Sequence, residues 1–66
     1  MMGTREIVDR MVRDRGWPSR FAREYVMERK VNGLSHGDAM DACYASSWIS
    51  DEDKNEVRLA ECGRIV

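Results

Sequence analysis

The chain has 66 residues, 35% of them charged and 42% hydrophobic, with a formal net charge of −1, which is too apolar for a disordered tail and too polar for a membrane protein. At this length about 60% of the unfolded chain's surface can be buried, so one domain over residues 1–66 with a thin core is expected. No apolar run approaches the roughly 20 residues that cross a bilayer, and neither a signal peptide nor a lipidation motif is recognisable, so a cytoplasmic protein with no membrane partner is expected.

Thr4 stands as an N-cap before Ile7, Val8, Met11 and Val12, whose spacing makes one stripe on a helix over about 5–14. Gly16 can adopt the left-handed conformation that ends a helix, and Pro18 cannot continue one, so Gly16-Trp17-Pro18 reads as a corner. Pro18 suits the first turn of a second helix, with Phe21, Ala22, Tyr25 and Val26 as its stripe and Val31 near its end. Arg29 and Lys30 complement the negative end of its dipole, and Asn32-Gly33 stops it.

Ser35-His36-Gly37-Asp38 reads as a capping box with Asp in place of Glu, and Leu34 is placed to staple onto Ala39. The third helix is expected to carry Ala39, Met40, Ala42, Cys43, Tyr44 and Ala45, and to continue to Trp48 and Ile49. It is apolar around most of its circumference, which suggests a central helix. Ser50 followed by Asp51, Glu52 and Asp53 repeats the N-cap logic and predicts a fourth helix over about 51–62, closed by Gly63 with Ile65 as its apolar contact. The fold class expected is all-α: a small bundle of three to four short helices, with a hairpin of merged helices as the alternative.

A core of this size supplies only about 3–5 kcal/mol unless a staple, a metal or a second subunit is added. Cys43 and Cys62 are expected to stay reduced in a cytoplasmic chain. Completion by a homodimer is therefore the expected remedy. Residues 1–33 carry eight basic and five acidic side chains, and residues 34–66 three basic and seven acidic. Two copies should pair with the basic half of one against the acidic half of the other, and that contact should weaken with salt.

The only soft or borderline metal ligands, His36, Cys43 and Cys62, lack the spacing that brings two onto one ion, so no metal and no cofactor are expected. His36 reads as an exposed capping residue with no nucleophile and orienting group to complete a catalytic set, so no enzyme is expected either. The second and third helices have a helix-turn-helix layout and the N-terminal half is arginine-rich, yet the third helix contains Asp38 and Asp41 and no Lys or Arg. Carboxylates at the base-reading position repel a duplex.

What remains is binding. Arg13, Trp17, Arg20, Arg23 and Trp48 are the candidate partner-binding residues, because Trp and Arg bury large areas while keeping a polar handle. The function expected is a non-enzymatic helical module that regulates or inhibits another protein, on the scale of small bacterial or phage accessory proteins. An accessory DNA-binding regulator is the alternative.

Overall fold

The computed structural model describes residues 3–64, with side chains described over 3–62. It is an all-α bundle of four helices, α1 (Thr4–Arg15), α2 (Ser19–Lys30), α3 (His36–Ala45) and α4 (Asp51–Arg64). The expectations for Gly63 as a cap differ from this, since α4 runs through it to Arg64; Ile65 lies outside the described residues.

The capping chemistry holds at two helix starts and shifts at the other two. Ser35 Oγ accepts from the Asp38 N–H at 3.2 Å, and Ser50 Oγ accepts from the Asp53 N–H at 3.2 Å. Thr4, expected as a cap, is instead the first residue of α1: Gly3 occupies the cap position, and its carbonyl accepts from Ile7 N–H at 3.2 Å. Pro18 likewise sits one position earlier than expected, at the cap of α2, where its φ of −60° and ψ of 146° are extended and its carbonyl receives Ala22 N–H at 3.0 Å. Between them Gly16 has φ 72°, the left-handed geometry that closes α1 by donating its N–H to the Val12 carbonyl.

Two expectations about α3 are corrected. It ends at Ala45, where Ser46 turns out of the helix and donates its N–H to the Cys43 carbonyl at 3.2 Å, so Trp48 and Ile49 lie in the turn before α4. The break lets the chain turn so that Ile49, 4% exposed, enters the core beside α2. The central helix is α2, which packs against α1, α3 and α4. Its inward stripe of Phe21, Ala22 and Val26 is buried, with Tyr25 half-buried beside it. From the other elements Val8, Trp17, Cys43, Ile49 and Val57 close over that stripe, and each large apolar side chain removed from water in this way contributes about 1.5–3 kcal/mol. Val31 stands at the end of α2 as expected, as its C-cap residue, and is 74% exposed.

Candidate functional site

Of the two tryptophans, one is structural and the other is displayed. Trp17 is 1% exposed and is packed edge-on against Phe21 and Tyr25, with centroids at 5.1 and 5.3 Å. Its Nε1 donates to Glu61 Oε2 at 3.2 Å, and the Arg15 guanidinium lies over the ring at 5.5 Å while reaching Glu61 at 3.6 Å. These contacts tie the corner between α1 and α2 to α4. The expectation that Trp17 is a partner-binding anchor is thereby corrected, because no part of its ring is left to offer.

Trp48 is 75% exposed. The turn that carries it is fixed at both ends, by the Ser46 bond to α3 and by the Ser50 cap of α4, and its one inward position is taken by Ile49, which is 4% exposed. With Ile49 in the core, its neighbour is held outward. The indole borders a groove of about 320 Å³ lined by Arg20, Arg23, Glu24, Met27, Trp48 and Ile49. Three of the expected binding residues thus converge on one concavity, whereas Arg13, exposed on α1, lies outside it.

The far wall of the groove is the outer face of α2. Arg20, Arg23, Met27 and Val31 fall at spacings of three and four residues and therefore share one face, opposite the buried stripe. Met27 is 45% exposed, so the floor is apolar and its rim basic. Among the described residues neither Arg20 nor Arg23 is held in an ion pair or a side-chain hydrogen bond. Both arginines also line a second, more polar concavity of about 580 Å³ on the α1 side, with Thr4, Arg5, Asp9 and Ser19. Met27, Glu24 and Ile49 were not singled out from the sequence. The signal for Met27 was the helical face it shares with the two arginines.

The remaining reactive groups are structural or isolated. Cys43 is fully buried, with its Sγ 4.0 Å from the Phe21 carbonyl; burial first, and then the negative fields of Glu24 and Glu28, push its thiol up to about 12. It stays protonated and is a poor nucleophile. Cys62 is a free, exposed thiol on α4. His36 is the first residue of α3 and shares a hydrogen bond of 2.8 Å with the Tyr25 hydroxyl, which pins α3 to α2. Tyr44 lies beneath Arg58, at 4.9 Å, and its hydroxyl is shifted up by burial against the opposing pull of that guanidinium. Among the described residues no three His, Cys, Asp or Glu side chains converge as a metal would require, and no helix is long and apolar enough to cross a membrane. No family model matches the chain, and comparison with curated proteins and with solved structures finds no significant match, so function is argued from this site alone.

Proposed function

We propose that this chain is a non-enzymatic protein-binding module that regulates or inhibits another protein by seating part of it in the groove between α2 and the Trp48 turn. The observation that carries this reading is an indole 75% exposed beside two unpaired arginines over an apolar floor. An isolated exposed tryptophan is costly to keep in water, whereas a rigidly presented one with arginine neighbours has the composition of an interface hot spot. A partner should offer an apolar anchor for the floor and carboxylates for Arg20 and Arg23.

The DNA-binding alternative has less support. The start of α3, where base-reading side chains would stand, presents His36, Asp38 and Asp41, and the helix has no Lys or Arg. Phosphate contact through Arg5, Arg20 and Arg23 would be sequence-independent and would fall steeply with salt.

Photo-crosslinking in the native host from position 31, exposed on the same face of α2 as Arg23 and Met27, tests the reading. A specific crosslinked protein should disappear in Trp48→Ala and persist in Arg13→Ala, an exposed arginine outside the groove. Duplex binding by the purified protein should be weak and without sequence preference. A sequence-specific DNA complex at physiological salt, or a crosslinked partner indifferent to Trp48, would overturn it.

A further inference from the structure

Arg20 and Arg23 do not belong to the Trp48 groove alone. Both also line the concavity of about 580 Å³ between α1 and α2, where Arg5 joins them from the start of α1. Val8, buried in the core, backs this concavity, and Thr4 and Ser19 contribute to its wall. Three exposed guanidinium groups thus share one cavity with a single carboxylate, that of Asp9. Among the described residues none of the three arginines is in an ion pair or a side-chain hydrogen bond.

Nothing in the fold accounts for this concentration of charge. The chain as a whole has a net charge of −1. The first turns of α1, α3 and α4 carry acidic side chains, whereas that of α2 carries none and holds Arg20. A cation there opposes the positive end of the helix dipole. Arginines gathered without counter-charge repel one another, and an oxyanion that accepts from several planar guanidinium forks at once removes that cost.

We infer that the α1–α2 concavity is an anion subsite continuous with the Trp48 groove. The partner's segment sets an apolar side chain on Met27 beside Trp48 and carries, on the far side of Arg20 and Arg23, a clustered oxyanion held by Arg5, Arg20 and Arg23. That oxyanion is a phosphoryl group or a pair of neighbouring carboxylates. The inference rests on reading the groove as a docking site, and it makes that site bipartite. Arg20 and Arg23 are the ridge between the two halves, since each lines both. Such a site selects for both features together: an apolar segment without the anion leaves three arginines unneutralised, and an anion without the apolar side chain leaves the indole in water.

Arg5 separates the subsite from the groove, because it lines the concavity and not the groove. Crosslinking from position 31 in the native host should fall at least about tenfold in Arg5→Glu and by less in Arg5→Gln. It should be unchanged in Arg10→Gln, which removes the same charge from an exposed position of α1 outside the concavity. Circular dichroism checks that each variant is folded. With the purified protein, inorganic pyrophosphate followed by NMR should shift the side-chain N–H signals of Arg5, Arg20 and Arg23 with one midpoint, and Arg5→Gln should weaken that binding. Repeating the crosslinking in host lysate treated with phosphatase tells the two oxyanions apart: loss of the product assigns a phosphoryl group and persistence assigns carboxylates, with the dependence on Arg5 supporting the subsite in either case.

A crosslinked protein that is lost in Trp48→Ala but indifferent to Arg5→Glu overturns the inference and leaves the docking site standing. Pyrophosphate shifts spread evenly over all exposed arginines overturn it as well. If the wild type crosslinks no protein, the docking reading falls and the bipartite site falls with it.

Discussion

The corner at Trp17 and the turn at Trp48 use the same residue between two helices and reach opposite results. At the first, Pro18 directs the chain into α2 so that Phe21 and Tyr25 rise on the side where the indole already lies, and Glu61 of α4 meets its N–H. At the second, the core position offered by the turn is filled by Ile49, and Trp48 is left outside. A tryptophan's fate at a corner is thus decided by which neighbour claims the inward site and by whether an acceptor waits for the indole N–H. Hydrophobicity alone does not distinguish the two.

The largest test of that contrast is Trp17→Ala. Emptying a fully buried tryptophan site costs about 3–5 kcal/mol, comparable to the whole stability expected of a core this small. The variant should lose its cooperative helical melt in circular dichroism. A melt close to that of the wild type would mean that α4 does not depend on the Trp17 corner.

Cys43 and Cys62 probe the same division between interior and surface by chemistry. Cys62 should react with a thiol reagent in the native state and Cys43 only on unfolding, as a quantitative thiol titration with and without denaturant will show. Folding holds the proton on Cys43, raising its pKa from 9.0 to about 12. Its contribution to stability is therefore complete below pH 9 and is lost as the pH rises towards the folded value. Denaturant midpoints should fall across that window, and Cys43→Ala should flatten the slope.

Smaller effects come from the local devices that set each corner. Gly16→Ala places a side chain at φ 72°, where no neighbour obstructs the new Cβ, so the cost is that of the backbone alone, about 1–2 kcal/mol. Ser50→Ala removes the cap that anchors the Trp48 turn and should cost about 1 kcal/mol. Both values are read from denaturant midpoints. A Ser50 variant as stable as the wild type would show that the turn is held by Ile49 without the cap.

The smallest expected change in stability is that of Trp48→Ala, within about 0.5 kcal/mol of the wild type. It is measured by chemical denaturation. Its fluorescence should sharpen the contrast, because the remaining emission comes from buried Trp17 and should shift to shorter wavelength. A loss of several kcal/mol would place Trp48 in the core after all.

Helix number, order and approximate bounds were legible in the sequence, because they depend on local chemistry. Ser35 and Ser50 can bond only the free N–H groups just after them, Gly16 is the residue that accepts a positive φ, and the stripe of Phe21, Ala22, Tyr25 and Val26 must face inward together. The basic face of α2 was equally readable from spacing. The end of α3 was not, since the run from Ala39 to Ile49 is apolar enough to continue a helix and only the packing of Ile49 shows where it breaks. Nor could the sequence choose α2 as the central helix: α3 is the more apolar of the two, but centrality depends on which helices close around which, a property of the whole arrangement. The same holds for the groove. Trp48 and Arg20 are 28 residues apart, and nothing local to either marks the other as a neighbour. The docking of α2 against the turn before α4 brought them together, because burying Ile49 and Val57 over the central helix leaves the indole beside the arginines.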